Sequence, residues 1–486
     1  MSQINESAIK TPGVYVNEIP SFPPSVAQVA TAVPAFIGYT EKALDAKGKS
    51  LNLIPKRITS LLEYQQYFGG APLEANLQID IAEHHDSNSK LVSTDITASF
   101  AGNIPSTKYL MFYAMQMFYM NGGGTCYVVS VNDYATGGGT VSNTELQSGL
   151  DAIEPEDEPT LILFPDGQGL SSAANYYTLQ NNSLALCGKL QDRFALIDLF
   201  DNLGDTETNA QHFRGDPTPA NGIGNNNLNY GAAYYPNLIT TLVYNYDDGD
   251  VPLTITVASG PGGAVLASTD LGALKAENKV VYNQAVAAIG LEGVEIAPSA
   301  VIAGVMAVVD GTRGVWKAPA NVSLNGIQQL TDNVTDDSQQ DLNIDPGSGK
   351  SINAIRAFTG KGILVWGART LEGNSNDFRY VSVRRFYIMV EESVKKASMQ
   401  FVFEPNDANT WVKIRAMIEN YLTNLWRLGA LAGSKPEQAF YVKVGLGQTM
   451  TFDDILNGKM IVEIGMAPVR PAEFIILRFT QIQQTS

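Results

Sequence analysis

The 486-residue sequence has few charged residues, two cysteines, three histidines and no long apolar run. Cys126 and Cys187 are too few for a disulfide framework, and both stand among apolar residues, so we expect buried, reduced thiols. The apolar run at residues 300–309 is much shorter than the ~20 residues of a membrane-spanning helix. Residues 1–7 lack the charged and apolar regions of a secretory signal. We therefore expect synthesis and folding in the cytoplasm, without insertion into a membrane.

Charged side chains make up 17% of the residues, against about 25% in an average globular protein. The net charge is −17, which argues against nucleic-acid binding by the chain as a whole, because phosphate contacts need a basic surface. Interface cores are depleted in charge. The low charge content thus favours a surface that is largely covered by other subunits.

The charge is also distributed unevenly. Residues 350–486 contain 17 Lys and Arg against 12 Asp and Glu, a local charge of +5. Residues 1–349 contain the remaining 15 basic and 37 acidic residues, a local charge of −22. This asymmetry indicates a partner for the basic region, or else a chance fluctuation over a solvated surface.

No motif for catalysis, a cofactor or a metal ion is complete. The Gly-Lys-Ser triplets at residues 48–50 and 349–351 lack the upstream glycine and the strand of a phosphate loop. Residues 341–345 have the alternate acidic spacing of a calcium loop but lack its glycine and final glutamate, so we interpret residues 328–349 as a solvated acidic loop. We expect no enzymatic activity; the alternative is a hydrolase that uses His84 or His85.

Strand-like and helix-like segments alternate over most of the chain, which predicts a mixed α/β fold with a partly parallel sheet. Residues 201–231 are rich in Gly, Asn and Pro and are interpreted as a long loop. We predict strands at residues 32–39, 125–131, 160–165 and 194–199, a short β segment at 250–270, and helices at 108–118, 383–397 and 411–426.

Both ends of the sequence carry an apolar, strand-like segment set off by prolines. Residues 14–16 lie between Pro12 and Pro20, and residues 474–479 follow Pro468 and Pro471. Chain ends are usually frayed and polar. Such ends favour strand addition between subunits, although each strand could instead close a sheet of its own subunit.

Several separated blocks resemble the contractile tail sheath proteins of bacteriophages and related injection particles. The blocks begin with Thr11-Pro12-Gly13-Val14-Tyr15-Val16 and the apolar segment 32–38. They continue with Asp310-Gly311-Thr312-Arg313-Gly314-Val315-Trp316-Lys317-Ala318-Pro319, Gly362-Ile363-Leu364-Val365-Trp366-Gly367-Ala368-Arg369-Thr370-Leu371 and Val462-Glu463-Ile464-Gly465-Met466-Ala467-Pro468-Val469-Arg470-Pro471-Ala472-Glu473-Phe474. The resemblance is weak over residues 200–290.

The resemblance implies a C-terminal sheath core domain, completed by strand arms from both chain ends, with a large outer α/β domain inserted. The implied domains are an N-terminal arm (1–22), an outer α/β domain (23–345) with a variable insertion (about 200–290), a polymerising, tube-facing core (346–472) and a C-terminal arm (473–486). Subunits of the family form six-fold rings stacked helically around an inner tube, and contraction needs no ATP at this chain.

The resemblance also implies roles for particular residues. The intersubunit strand arms would contain Val14, Tyr15, Val16, Phe474, Ile475, Ile476, Leu477 and Phe479. The linkers would contain Pro20, Pro23, Pro24, Pro468 and Pro471. Candidates to face the tube are Lys395, Lys396, Lys413 and Arg415. Candidate structural junctions, within or between subunits, are Arg313, Trp316, Arg356, Trp366 and Arg369.

The expected partners are further copies of the chain, an inner tube protein, and baseplate and terminator or cap proteins. Three settings fit the resemblance: a phage virion, a headless extracellular injection particle, and a secretion system anchored in the producing cell. The secretion system ranks third, because its sheath is usually split into two chains. The headless particle ranks slightly ahead of the virion.

Overall fold

The computed structural model describes residues 25–200, 204–216, 218 and 221–478. Its strands are β1 Pro34–Thr40, β2 Lys56–Ile58, β3 Leu77–His85, β4 Leu91–Phe100, β5 Cys126–Asp133, β6 Leu161–Leu163, β7 Phe194–Asp198, β8 Gly231–Tyr235, β9 Leu238–Val243, β10 Leu253–Ser259, β11 Gly293–Ile296, β12 Val322–Ser323, β13 Ile327–Leu330, β14 Ile352–Phe358, β15 Gly362–Val365, β16 Phe440–Val444 and β17 Val462–Met466. Its α-helices are α1 Leu61–Phe68, α2 Met111–Met120, α3 Tyr134–Gly137, α4 Asn143–Ile153, α5 Ala173–Leu190, α6 Thr206–Arg214, α7 Leu271–Glu277, α8 Lys279–Ile289, α9 Ser299–Arg313, α10 Asp336–Asn343, α11 Val381–Ser398, α12 Ala408–Arg427, α13 Pro436–Ala439 and α14 Phe452–Leu456.

A nine-stranded sheet, in the order β12-β15-β14-β8-β7-β6-β1-β5-β2, forms the centre of the larger of two compact units. The six strands from β14 to β5 are mutually parallel, and the remaining three pair antiparallel at the two edges. All seven residues of β1 are buried, as expected of a parallel strand covered on both faces. The mixed α/β fold class predicted from the sequence is confirmed.

The larger unit contains a second, smaller core. Strands β3 and β4 form an antiparallel pair, and β10 adds in parallel to the other side of β3. Alternate residues of β3, including Leu77, Ile79 and Ile81, are buried against α7 and α8. This three-stranded layer is therefore built from two segments that are far apart in the sequence.

The smaller unit contains residues 25–29 and Met389–Val469. The side chain of Asp407 caps α12 by accepting the N–H of Thr410, and α12 buries a face that includes Ile414, Ile418 and Leu422. The helix predicted at residues 411–426 is therefore present, and its buried residues recur at helical spacing. Strands β16 and β17 form an antiparallel pair, and α12 packs against β16.

The two units divide at other positions than the expected domain boundary at residue 345. The larger unit continues to Ile388, because β14 pairs in parallel with β8 and so belongs to the central sheet. Residues 200–290, expected to be a variable insertion, contain β8 inside that sheet and β10 in the small core. The division at the C-terminal side falls after Val469.

Two segments that were interpreted as loops contain helices. Asp205 caps α6 by accepting the N–H of Thr208, and Gly215 ends it in a left-handed conformation. In the acidic segment 328–349, Thr335 and Ser338 form a reciprocal capping box at the start of α10. Both helices are short and polar, so their caps stabilise them more than an apolar face does, and an apolar-periodicity argument misses them.

A buried carboxylate occupies the point where the strand order of the sheet reverses, between β1 and β6. Asp166 accepts the backbone N–H groups of Tyr39 at 2.6 Å, Leu110 at 2.5 Å and Met111 at 3.0 Å. It thereby caps the start of α2, where an open α/β sheet commonly binds an anionic ligand. In this chain the position is taken by one of its own side chains.

We predict that Asp166 makes stability depend on pH. Burial raises the pKa of Asp166 to about 7, despite the three N–H donors that oppose this rise. Because the folded state holds the proton more tightly than the unfolded state, the stabilisation is complete below pH 4 and is lost as the pH rises towards 7. The slope contributed by this group is at most about 1.4 kcal/mol per pH unit. Chemical denaturation of Asp166→Asn between pH 4.5 and 7.5 should show a shallower pH dependence.

The control is Asp133→Asn, which removes the N-cap carboxylate of α3. Hydrogen bonds from the Thr136 backbone hold the pKa of Asp133 below its usual range, so this substitution should leave the slope above pH 5 unchanged. Equal slopes for the wild type and Asp166→Asn would contradict the assignment.

Candidate functional site

An exposed apolar segment follows Glu473. The exposed fractions of Phe474, Ile475, Ile476 and Leu477 are 66%, 78%, 78% and 72%. Within the described part of the chain this segment makes no strand pairing. The strand predicted at residues 474–479 is therefore absent from the isolated chain as far as Leu477. Phe479 lies outside the described residues, as do Val14, Tyr15, Val16, Pro20, Pro23 and Pro24 of the predicted N-terminal arm and linker.

The segment leaves the larger unit at an arginine–carboxylate pair. The guanidinium of Arg369 donates to Glu473 through Nε at 2.9 Å and Nη2 at 2.7 Å. Asn343 Nδ2 donates to the same carboxylate at 2.8 Å, and the Tyr380 hydroxyl donates at 3.2 Å. Burial alone would raise the pKa of Glu473, but these donors hold it below its usual range. Glu473 is therefore ionised and firmly bound at neutral pH.

The N-terminal chain enters the larger unit at a similar pair. Arg385 donates to Asp310 at 3.1 Å and 2.5 Å, and both side chains are buried. The hydroxyl of Thr31 donates to Asp310 at 2.6 Å, and its carbonyl accepts a hydrogen bond from Arg385 at 2.8 Å. Thr31 is thus fixed three residues before β1 begins.

The smaller unit presents a two-stranded sheet with open edges. Among the described residues, β16 and β17 pair only with each other, apart from an isolated bridge between Leu431 and Pro468. Pro468, predicted as a linker residue, thus lies in line with β17, whereas Pro471 comes after the division of the units. Unpaired edge strands can accept a further strand.

The register tells which backbone groups face the open edge. The N–H of Ala467 donates to Ala439, and strand partners alternate, so Glu463 and Gly465 bond across to β16. The N–H and C=O groups of Ile464 then point away from β16. Tyr441 covers Gly465, and its hydroxyl donates to Glu463 at 2.7 Å.

Exposed apolar side chains surround this sheet. They lie in the loop after β16, in α14, and before β17, and they are Leu446, Phe452, Leu456 and Ile461. An apolar strand added at an edge would meet apolar surface. This sheet is the candidate site of the smaller unit, and the segment after Glu473 with its anchor is the candidate site of the larger unit.

Three of the four basic residues expected to face a tube have acidic partners within the chain. Lys395 and Lys396 lie 3.0 Å and 3.5 Å from Glu392, and Arg415 lies 2.7 Å from Glu419. Lys413 is exposed and makes no ion pair among the described residues. Of the four candidates, Lys413 is therefore the one whose charge has no acidic partner in the described part of the chain; Arg427, in the last turn of α12, is also exposed.

The candidate junction residues occupy different environments. Arg369 anchors Glu473, and Arg356 pairs with Asp336 at 2.7 Å and lies over the Phe358 ring. Trp366 also packs on Phe358, with ring centroids 4.5 Å apart, and Trp316 packs on Phe386. Arg313 is exposed in the last turn of α9. The structure therefore brings only Arg369 to the candidate site.

Two histidines were considered for hydrolysis. His85 contacts the buried carboxylate of Glu83 at 2.6 Å. This carboxylate also accepts the backbone N–H groups of Val265 and Leu266.

The other histidine lies in a polar cross-strand row. His84 on β3 contacts Ser259 on β10 and Asp95 on β4, each at 2.8 Å. These residues lie in adjacent strands of an open sheet face, and Asp95 is 78% exposed. A catalytic carboxylate of this kind is normally buried, where it holds the imidazole. The row is therefore explained by strand pairing.

The other motifs weighed in the sequence have structural roles. Lys350 of the second Gly-Lys-Ser triplet is buried, and its Nζ donates to the carbonyls of Arg214 at 3.2 Å and Ile223 at 2.6 Å.

Residues 25–200, 204–216, 218 and 221–478 contain no cluster of three or more potential metal ligands. In the same ranges, no helix is both long and apolar enough to cross a membrane.

Comparison with known families fits this arrangement of a strand-like terminal segment and an open-edged sheet. The phage tail sheath protein central domain matches residues 139–371, and the phage tail sheath C-terminal domain matches residues 374–482. The chain belongs to the phage tail sheath family. The C-terminal match of this sheath protein spans the open-edged sheet, Glu473 and the exposed apolar segment.

Two groups of relatives extend the comparison. A chain in the baseplate structure of the anti-feeding prophage is 32% identical, with a TM-score of 0.61, and the match covers 98% of this chain and 100% of that one. The sheath complex of the extracellular contractile injection system PVC, in the contracted state, gives 32% identity and a TM-score of 0.61, covering 97% and 98% of the two chains.

Curated phage proteins match over shorter regions. The tail sheath protein of Vibrio phage KVP40 is 24% identical over 37% of this chain, and that of Burkholderia phage BcepMu is 29% identical over 38%. The matched regions span only 25% and 40% of the lengths of these two relatives.

Sequence reasoning missed part of the anchoring. Asp310 and Arg385, which fix Thr31, were not singled out, because 75 residues separate them and each looks ordinary in its own segment. Glu473 lies in one of the blocks that resemble the sheath family, but no separate role was predicted for it. Its position after two prolines and before four apolar residues was the available signal.

Proposed function

We propose that this protein is the structural subunit of a contractile sheath. It polymerises helically around an inner tube and contracts to drive that tube through a target-cell envelope. The observation that carries the proposal is that one chain contains both an exposed apolar terminal segment and a two-stranded sheet with an edge that could accept it. The solved relatives, a sheath complex in a contracted state and a baseplate chain, support it.

The polymer would form by strand exchange between copies. Residues Phe474–Leu477 of one subunit would add to an open edge of the β16–β17 sheet of a neighbour, and the N-terminal arm around Val14–Val16 would add to another. Full burial of a Leu, Ile or Phe side chain contributes about 1.5–3 kcal/mol, so four such side chains supply roughly 6–12 kcal/mol before ordering costs. Main-chain hydrogen bonds then set the direction and register.

Contraction would be a change of packing between subunits that stay linked. The linkers around Pro20–Pro24 and after Val469 would allow rotation while the strand pairs persist. Energy stored at assembly would be released as the subunits repack, without ATP at this chain. The polymerising, tube-facing core expected at residues 346–472 would then lie mainly in residues 389–469, and the β16–β17 sheet and Lys413 support this role.

We infer a headless extracellular injection particle as the setting. The relatives from the anti-feeding prophage and PVC match over nearly the whole chain at 32% identity, whereas the phage relatives match over less than two fifths of it. The expected partners are further copies of the chain, the inner tube protein, and baseplate and cap proteins. Assembly would take place in the cytoplasm of the producing cell.

We predict that both arms are needed for polymerisation but not for folding. A truncation after Glu473, which keeps its pairing with Arg369, should give folded subunits that form no tubes, because four apolar pairing residues are lost. Deletion of residues 1–22 should have the same result. Circular dichroism would test folding and negative-stain microscopy would test assembly. Normal tubes from either truncation would contradict strand exchange.

Proline at the open edge offers a second test. In Ile464→Pro the lost N–H faces away from β16, so the β16–β17 pair should persist, whereas an added strand would lose a hydrogen bond. We expect assembly to fall at least tenfold in sedimentation assays, with monomer stability within about 1 kcal/mol of Ile464→Ala. Ile464→Ala is the matched control for the lost side chain. Equal assembly of the two variants would mean that this edge accepts no strand.

Charge reversal tests the tube contact. Lys413→Glu should weaken retention of a co-expressed inner tube protein, and the loss should grow at low ionic strength, where charges are less screened. Retention would be measured by co-purification at two salt concentrations. Lys189→Glu, which makes the same change of charge at an exposed site of the larger unit, should retain the tube. Identical retention by both variants would refute the proposed tube-facing surface.

A further inference from the structure

The carboxylate of Glu473 binds a guanidinium that the larger unit already holds through other hydrogen bonds. Arg369 Nη1 donates to the carbonyls of Asn343 at 3.3 Å and Gly373 at 3.2 Å. The side chain of Arg369 is 4% exposed, and that of Glu473 is 21% exposed. The guanidinium is therefore held in place by groups other than Glu473. A bidentate pair in such a preformed site is stronger and more directional than a surface ion pair.

The backbone of Arg369 is fixed to the central sheet by one side chain. Asn353 on β14 accepts the Arg369 N–H at 2.7 Å and donates to the Arg369 carbonyl at 2.8 Å. The same Nδ2 donates to the carbonyl of Ala233 on β8 at 3.1 Å, and Asn353 is fully buried. A continuous path of hydrogen bonds thus joins Glu473 to two adjacent strands of the nine-stranded sheet.

This path of hydrogen bonds begins at the residue just before the exposed apolar segment. Glu473 directly precedes Phe474, the first of the four exposed apolar residues. Glu473 is held by the larger unit, and the chain up to Val469 belongs to the smaller unit, whereas the residues after Glu473 make no strand pairing in the described part of the chain. The pair therefore marks the boundary between the anchored chain and the segment that can exchange.

We propose that the Arg369–Glu473 pair anchors the C-terminal arm to the larger unit against tension. This inference rests on the proposed sheath function: tension from a neighbouring copy passes through Glu473, Arg369 and Asn353 into β14 and β8. The anchor also limits the reach of the arm. An extended chain spans about 3.4 Å per residue, so Leu477 can pair only within roughly 14 Å of Glu473. The accepting edge of the neighbour must come that close.

The anchor can be tested in the free subunit with a spin label. Cys126 and Cys187 are both buried, so in Ala472→Cys the new exposed thiol is the one that reacts. The label should be restricted in the parent protein, and its mobile fraction should rise at least threefold when Glu473→Gln is added. Glu154→Gln, which removes an equal charge from the Lys189 pair of the same unit, is the control and should leave the spectrum unchanged.

The assembled state gives the second measurement. Tubes of Glu473→Gln should lose subunits at least fivefold faster in guanidinium chloride than parent or Glu154→Gln tubes, and Glu473→Asp should restore part of the resistance. Removing the carboxylate leaves the buried Arg369 guanidinium without its charge partner and also destabilises the monomer. Subunit loss is therefore compared at guanidinium chloride concentrations below the monomer unfolding transition of every variant. An unchanged label spectrum, or equal resistance of Glu473→Gln and parent tubes, would overturn the anchor. If the parent protein formed no tubes, the sheath proposal would fail while the label experiment still decided the anchor.

Discussion

Unpaired backbone groups are the constraint on which the rest of this structure depends. Polar main-chain groups that leave water need hydrogen-bond partners, and a strand that is apolar on both faces needs cover as well. In the described part of the chain, Phe474–Leu477 make no strand pairing, and the backbone groups of Ile464 in β17 point away from β16. The segment lacks a strand partner and the sheet edge could accept one. Under the proposed function, a second copy of the chain would supply both.

The parallel strands of the large central sheet each pair with neighbours on both sides. Its parallel strands are covered on both faces, and Asp166 fills the position at which such sheets often hold an anion. The larger unit thus has a well-packed core, and the exposed apolar segment after Glu473 lies outside that core. A protein that changes its neighbours' packing while each subunit stays folded needs this separation of stable and exchangeable parts.

The sequence was informative where one segment determines its own structure. The apolar run of β1 and the helical spacing of Ile414, Ile418 and Leu422 identified a buried strand and a packed helix face. It was uninformative where distant residues meet. Arg369 and Glu473 are 104 residues apart, and the pairing of β14 with β8 moved the unit boundary well past residue 345. Neither contact can be recognised from the residue pattern of a single segment. The short capped helices α6 and α10 also have too few apolar residues to show a helical period.

The place of β1 in the sheet has a mechanical consequence. Thr31 is fixed by Asp310 and Arg385, and β1 starts only three residues later, between β5 and β6. A pull on the N-terminal chain that passed this pair would act along the axis of β1. Hydrogen bonds to two neighbouring strands would then be sheared together, instead of being opened one after another as in unzipping. The subunit would therefore resist such a pull through many hydrogen bonds of β1 at the same time.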